Sequence, residues 1–200
     1  MLLAGEVDAN DVRRQLSRWA RAGKIRQWRK GLYSLAPPYN KVSPHPFVIA
    51  NAMIPGSYVS EASALAYYGL IPEYAASTTS VTLARPMRND GGNDRGNGGG
   101  FIFHHLAPHL FFGYTSLELV KGQLAYIALP EKAILDLAHL TPASDQPEWA
   151  AQLRLQNWEH LDLKRLQSFA QRSGKPKWIR VAKQIVELAC QGNGEYEEVF

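Results

Sequence analysis

Hydrophobic residues near the start of the chain recur at helical spacing. They fall on one stripe, at every third or fourth position, which comprises Val12, Leu16, Trp19 and Ala20. This spacing predicts an amphipathic helix. Asn10 or Asp11 is the expected N-cap, and Gly23 is the expected glycine just beyond the helix end.

The next segment, residues 24–35, has the pattern of a β-hairpin. Apolar residues flank a basic turn that ends at Gly31, and glycine supplies the positive φ that tight hairpin turns require. We expect Trp28 and Tyr33 to pack within the hairpin instead of stacking on nucleic-acid bases. A helix followed at once by a hairpin with a basic tip is typical of the end of a winged helix-turn-helix.

A complete winged helix-turn-helix has two further helices before its recognition helix. Residues 1–10 hold only one short apolar run, Met1-Leu2-Leu3. Three explanations stay open: the unit is minimal, the start is truncated, or a partner chain completes it.

The rest of the chain divides by composition. Four prolines within residues 36–46 predict a linker. We therefore expect an α+β protein with a winged-helix-type DNA-binding unit at 1–36, a linker at 37–46 and a second domain, suited to a partner, at 47–200. Within that domain, residues 47–140 have a mixed α+β pattern and residues 147–190 a helical one.

Turn and breaker residues set the expected elements of the second domain. Three expected helices begin at Pro46, after Ser60 as N-cap, and at Pro130. Three further helices are expected over 148–158, 162–174 and 176–190. The expected strands cover 58–59, 78–84, 101–107, 111–115 and 123–128. The glycine-rich segment 89–100 is expected to join two antiparallel strands.

Positive charge is concentrated near the start of the chain. Eight of the 22 Lys and Arg residues lie between Asp11 and Tyr33, where Asp11 is the only acid. This window carries +7 and the whole chain +4, so the remaining 177 residues sum to −3. A local positive field of this kind suits phosphate binding.

The basic residues of the predicted helix lie opposite its apolar stripe. They are all arginine, which forks to phosphate and to guanine edges better than lysine does. The alternative is an ordinary solvated helix face. Against it, no acid lies at (i, i+4) spacing to pair with these arginines.

Composition excludes several classes of protein. The single cysteine, Cys190, excludes an internal disulfide and a cysteine-based zinc site, which fits a reducing compartment. No signal-peptide pattern begins the sequence, and no apolar run approaches the ~20 residues that span a membrane. We expect a cytoplasmic protein with no membrane partner.

The sequence offers little for catalysis. The glycine-rich segment lacks the lysine and hydroxyl residue of a phosphate-binding loop, and His104 and His105 would point to opposite faces of a strand. No nucleophile–base pair stands out, so we expect no enzymatic activity, no cofactor and no metal site. Segment 130–136 holds a Lys132/Asp136 pair at (i, i+4), which helix structure explains; a polar face presented to a partner or nucleotide is the alternative.

Four segments form a recognisable series. They are GLY at 31–33, YVSEASALAYYGLIP at 58–72, HLAPHLFFGY at 105–114 and AYIALPEKAILDL at 125–137. Their order and spacing resemble the AbiEi-type antitoxins of type IV toxin–antitoxin systems, over roughly residues 11–140. The short N-terminus and the long glycine-rich stretch depart from that pattern.

The resemblance implies an antitoxin of a phage-defence system that also acts as an autorepressor. An N-terminal winged helix-turn-helix would bind repeats in promoter DNA, with self-association on DNA. A C-terminal domain would counteract a nucleotidyltransferase-like toxin, and no catalytic residue carries over. The expected DNA-binding residues are Arg13, Arg14, Ser17, Arg18, Arg21, Lys24, Arg26, Arg29 and Lys30. The candidate residues of the antitoxin domain are Glu61, Lys132 and Asp136.

Three other functions stay open. The chain could be a stand-alone winged-helix transcriptional regulator without a toxin. It could be an enzyme acting on nucleic acid or on the toxin, with Glu61, Lys132 and Asp136 as the residues to test. It could also be a protein–protein module whose basic helix binds an acidic partner.

Overall fold

The computed structural model describes residues 8–91 and 99–197, without the side chains of Pro147 and 192–197. The apolar run at residues 1–3 and the centre of the glycine-rich segment lie outside this range. The described chain is mixed α+β and ends in a helix, as expected; the winged-helix form of its start stays a prediction. None of its helices is long and apolar enough to cross a membrane.

Helices and strands alternate through the first two thirds of the described chain, and helices alone follow. The α-helices are α1 (Ala9–Arg21), α2 (Pro46–Met53), α3 (Glu61–Tyr67), α4 (Pro130–Leu140), α5 (Pro147–Gln152), α6 (Leu163–Ser173) and α7 (Pro176–Glu197). The strands are β1 (Ile25–Arg29), β2 (Leu32–Leu35), β3 (Tyr58–Val59), β4 (Ser77–Thr82), β5 (Met87–Asn89), β6 (Gly100–His105), β7 (Tyr114–Leu119) and β8 (Gln123–Ala128). Short 3-10 helices cover Pro108–Leu110, Val120–Gly122 and Trp158–His160.

The strands form two sheets. Strands β1 and β2 pair as an antiparallel hairpin. The other six form a mixed sheet in the order β5-β6-β4-β3-β8-β7, in which β4 runs parallel to β6 and β3 parallel to β8. The strands expected on either side of the glycine-rich segment, at 78–84 and 101–107, correspond to β4 and β6 and run parallel, so their expected antiparallel order is wrong. The short strand β5, which was not expected, lies between them in sequence and pairs antiparallel with β6.

Helix α1 begins and ends through local signals. The N-cap is Asp8, whose Oδ1 accepts the Asn10 N–H at 3.1 Å, so the expected N-cap at Asn10 or Asp11 is wrong by two or three residues. Gly23 follows the helix with a φ of 67°, as expected. Gly31 has a φ of 84° in the hairpin turn, a conformation that favours glycine.

Trp28 anchors the hairpin to the large sheet. Its side chain is buried in the same hydrophobic core as Phe101 of β6, and the two rings meet edge-on with centroids 6.0 Å apart. Its indole N–H donates to Ser34 Oγ at 2.9 Å, and its carbonyl accepts from Asn89 Nδ2 at 3.1 Å. The hairpin base is therefore fixed to the body of the protein, while the domain boundaries at 36 and 47 stay a prediction.

Two expected elements differ from the structure. The strand expected at 111–115 begins only at Tyr114, because the chain first forms a 3-10 turn. The helix expected at 148–158 ends at Gln152, because Arg154 and Asn157 take positive φ angles that an α-helix cannot continue through. Apolar spacing alone did not indicate either interruption.

Helices α3, α4, α6 and α7 pack together beside the sheet, with α3 against α4 and β4, and α4 against α6 and α7. Helix α2 packs on β8, β3 and β4 and reaches the hairpin strand β1. The most central helix, α4, is buried on nearly every side and carries both charged residues of the (i, i+4) pair.

Alanine at Gly113 should destabilise the fold more than alanine at Gly122. Both glycines have φ near 70°, and that backbone conformation costs an alanine about 1–2 kcal/mol. A Cβ at Gly113 would also lie 2.8 Å from Phe169 Cε2 and 3.2 Å from Lys132 Cβ, whereas one at Gly122 would meet nothing within 4 Å. We expect Gly113→Ala to cost a further ~1–3 kcal/mol by overpacking. Urea denaturation of the two variants would measure the difference, and equal losses would contradict it.

Candidate nucleic-acid interface and a buried polar network

The arginines of α1 form one exposed face. Arg13, Arg14, Ser17, Arg18 and Arg21 are all exposed, and no side chain of this helix is buried. Arg14 Nη1 lies 3.5 Å from Asp11 Oδ1, but both side chains are mostly in water, where such a pair contributes little. The guanidinium groups are therefore accessible to a polyanion.

The apolar stripe of α1 is less buried than its spacing predicted. Val12, Leu16 and Ala20 are half-buried, and Trp19 is 41% exposed. The helix packs against strand β1, and the backbone N–H of Lys24 donates to the Trp19 carbonyl at 2.9 Å. The helix and the hairpin thus form one small unit.

The basic residues of the hairpin divide into two groups. Arg29 and Lys30 are exposed at the tip. Arg26 is half-buried in β1, with its guanidinium carbon 5.0 Å from the Trp28 ring centroid. Lys24 is exposed, and its Nζ lies 6.0 Å from the ring centroid of Tyr39. Arg26 therefore helps to pack the hairpin, and the tip residues are free to reach a ligand surface.

Lys132 and Asp136 lie at the centre of a buried hydrogen-bond network. Both side chains are 0% exposed, and Lys132 Nζ donates to Asp136 Oδ1. Lys132 Nζ also donates to Tyr58 Oη at 2.9 Å. Asp136 Oδ2 accepts from Tyr58 Oη at 3.0 Å and from Ser60 Oγ at 2.8 Å. The network joins α4 to β3 and to the start of α3.

Three aromatic rings surround the Lys132 ammonium. Its Nζ lies 5.5, 5.6 and 5.1 Å from the ring centroids of Tyr58, Phe112 and Trp178, distances suited to cation–π contact. Burial lowers the pKa of Lys132, and the charge of Asp136 opposes this. Burial also raises the pKa of the Tyr58 phenol, with the Asp136 carboxylate adding to the effect. A site closed on all sides in this way holds the fold together and does not meet a macromolecular partner directly.

Glu61, which follows Ser60 in sequence, pairs with His104 beside this network. Glu61 is buried, and its Oε1 lies 2.7 Å from Nδ1 of the half-exposed His104 on β6. Ser60 precedes α3 as expected but makes no side-chain cap bond, because its hydroxyl is held by Asp136. Glu61 itself has a φ of 55°, a strained angle for a residue other than glycine.

The Glu61–His104 contact has opposite electrostatic effects on its two partners. Burial raises the pKa of Glu61, although the hydrogen bond to His104 and its charge lower it. The same hydrogen bond raises the pKa of His104, against the effect of its partial burial. The charged imidazole is therefore favoured in the folded protein.

Replacing His104 by glutamine should remove a stabilising contribution that is complete in mild acid. Because folding raises the pKa of His104, this stabilising contribution is lost as the pH rises through the folded-state pKa. The raised pKa of Glu61 also lowers the stability of the fold as the pH rises. The lowered pKa values of His45 and His139 have the opposite effect and raise the stability as the pH rises. The test is the difference in unfolding free energy between wild type and variant from about pH 5 to about pH 8.

That difference should shrink as the pH rises. His105→Gln is the matched control, because the neighbouring His105 is exposed and contacts only the Ala84 carbonyl, at 3.2 Å, among the bonds the structure gives it. A difference for His104→Gln that is independent of pH would contradict the assignment of this contact.

A third buried carboxylate was not singled out from the sequence. Glu131 is wholly buried, accepts the Asp162 N–H at 2.7 Å and pairs with Arg165 Nε at 2.9 Å. It ties α4 to the start of α6. Its sequence signal was an acid in the first turn of a helix, which is common to exposed and buried acids alike.

The structure places two of the three candidate antitoxin-domain residues in direct contact, and the third interacts with them electrostatically. Lys132 and Asp136 are hydrogen-bonded, and Glu61 is close enough to Asp136 for that charge to raise its pKa. The basic residues of α1 and of the hairpin form a separate surface. A scan of the chain against protein-family models found no match, and a search of curated proteins found none either.

Proposed function

We propose that this chain binds double-stranded DNA through α1 and its hairpin and represses its own operon. The exposed arginine face of α1 carries this proposal, because it places four guanidinium groups on a helix with no buried side chain. The helix would act as the recognition helix of a winged helix-turn-helix and the hairpin, with Arg29 and Lys30 at its tip, as the wing. Arginine contacts to phosphate and guanine would supply the affinity.

A single small module has limited affinity for DNA, so we propose that two protomers bind adjacent repeats. The described residues contain one helix before the hairpin, and a second copy would extend the contact along the duplex. Five to seven phosphate or base contacts for each protomer follow from the basic residues at hand.

We further propose that residues 47–200 act as the antitoxin against a nucleotidyltransferase-like toxin. The chain outside the basic window carries a net charge of −3, which suits a protein partner better than DNA. The AbiEi-like segments supply Tyr58, Ser60, Phe112, Lys132 and Asp136, which meet in one buried network. In this proposal these residues stabilise the fold, and the toxin would contact exposed residues outside the network.

Fluorescence anisotropy would test the DNA role. The labelled duplexes would be the DNA upstream of the gene and a scrambled duplex of equal composition, over a salt series. We expect tighter binding to the upstream DNA and, for each protomer bound, a slope of log affinity against log salt of roughly −4.5 to −6.3, at about 0.9 per phosphate neutralised. Equal affinity for both duplexes would overturn the autorepressor role.

Growth of toxin-expressing cells would test the antitoxin role separately. The full chain with Arg13, Arg14 and Arg18 replaced by alanine should still restore growth, because the toxin role is assigned to residues beyond the basic window. Failure of both wild type and variant to restore growth would overturn the antitoxin role and leave a stand-alone regulator.

A further inference from the structure

A cleft of about 680 Å³ lies between the start of α2, the end of α3 and the start of β4. Its volume is that of a typical small-molecule site. None of the residues that the structure places in its lining belongs to α1, the hairpin or the Lys132–Asp136 network. The cleft is therefore separate from the proposed DNA-binding surface and from the buried network.

Aromatic rings form much of the cleft wall. Phe47 is buried at its base, and its ring centroid lies 5.7 Å from that of Tyr67. Tyr67 is 44% exposed and Tyr74 is 92% exposed, so both rings offer faces to a ligand. Exposed aromatic faces beside a concave surface suit stacking on a planar ring.

The polar groups of the cleft are neutral. The described lining residues include no Asp, Glu, Lys or Arg, and burial lowers the pKa of His45, which keeps its ring uncharged at neutral pH. His45 Nδ1 accepts the Phe47 N–H at 3.2 Å, so the neutral ring carries its proton on Nε2 and is a donor there. Ser77 and Thr78 also line the cleft at the start of β4; as neighbours on a strand they point to opposite faces, so one of the two hydroxyls can face a ligand, as donor or acceptor.

We propose that this cleft binds a nucleobase, stacked on Tyr67 and Tyr74, with its polar edge toward His45 and the start of β4. A nucleobase is planar, uncharged and rich in donors and acceptors along its edge, which matches each property of the lining. The sugar and any phosphate would remain in solvent, since no described lining residue carries a positive charge. The base would come from a free nucleoside or from an unpaired position of a single strand.

Isothermal titration calorimetry and saturation-transfer NMR with adenosine and cytidine would test the cleft. The full chain would be compared with Tyr74→Ala, Tyr67→Ala and the control Tyr39→Ala, whose ring is 53% exposed outside the cleft. We expect nucleoside binding that weakens about 5-fold or more in each cleft variant and is unchanged in the control. Tyr74 is almost fully exposed, so its variant does not risk the fold.

Absence of nucleoside binding, or equal weakening by Tyr39→Ala, would overturn the proposal. Benzyl alcohol binding as tightly as adenosine would also overturn it, because that ring lacks a hydrogen-bonding edge. A short single-stranded oligonucleotide would identify the source of the base, in a chain that also carries alanine at Arg13, Arg14 and Arg18. If the oligonucleotide binds more tightly than the nucleoside and loses this binding in Tyr74→Ala, the base comes from an unpaired position in a strand. If only the nucleoside binds, the ligand is a free nucleoside. The arginine substitutions keep this result independent of DNA binding by α1.

Discussion

Replacing Lys132 by alanine should lower the free energy of unfolding by about 3–5 kcal/mol. The substitution leaves the Asp136 carboxylate wholly buried without its cationic partner, and an unpaired buried charge is costly. It also removes the cation from among the rings of Tyr58, Phe112 and Trp178. Urea denaturation would measure the loss, and the melting temperature should fall by about 10 °C.

The chain supplies a matched control for this prediction. Lys183 and Glu187 form the same (i, i+4) pair on α7, but their side chains are 78% and 56% exposed and 3.7 Å apart. Lys183→Ala should therefore cost less than about 0.5 kcal/mol. A similar loss at both positions would contradict the importance of burial.

Replacing both members of the buried pair should cost less than replacing one. In Lys132→Met with Asp136→Leu neither charge of this pair remains buried, and apolar replacements of similar volume restore much of the stability. The double variant also separates folding from function. If it folds and still counteracts the toxin, the pair has a structural role; if it folds but is inactive, the enzyme alternative gains support.

Replacing Arg13, Arg14 and Arg18 by alanine should weaken binding to upstream DNA by about 100-fold. Three charge-assisted contacts, at a conservative ~1 kcal/mol each, give about 3 kcal/mol in total. The salt slope should fall by about 3, since each lost phosphate contact removes about 0.9. Because all three side chains are exposed, stability should change little. Anisotropy over a salt series would measure both quantities.

The control for this variant removes the same charge elsewhere. Arg85, Lys164 and Lys183 are exposed and lie outside the basic window, so their replacement by alanine changes the net charge by the same amount. Salt screens their distant contribution, and we expect affinity to change by about 2-fold at most. Equal weakening by both triple variants would mean that net charge, and not the face of α1, governs binding.

Local signals were enough to predict most elements of this fold. The three- and four-residue spacing of apolar residues predicted α1, Gly31 predicted the hairpin turn, and prolines predicted the starts of α2 and α4. Each of these depends on residues close together in sequence. The errors fell at the N-cap of α1, at 111–115, at 148–158, at the unexpected strand β5 and in the parallel order of β4 and β6.

Local sequence patterns did not indicate which side chains are buried or which residues distant in sequence form contacts. The spacing of Lys132 and Asp136 predicted that they pair, but an exposed pair such as Lys183 and Glu187 has the same spacing. The Glu61–His104 contact joins residues 43 positions apart, and the Tyr58–Lys132 bond spans 74 positions. Neither could be inferred without the strand order.

Periodicity and charge are properties of neighbouring residues, so the sequence was enough to indicate most of the helices and strands and the concentration of positive charge on α1 and its hairpin. The enclosure of Lys132 and Asp136, the contact of Trp28 with the sheet and the cleft lined by Phe47, Tyr67 and Tyr74 follow from tertiary packing alone. These depend on the order β5-β6-β4-β3-β8-β7 and on how the helices pack around it. Strand order is set by the burial of the whole core, to which residues distant in sequence contribute together.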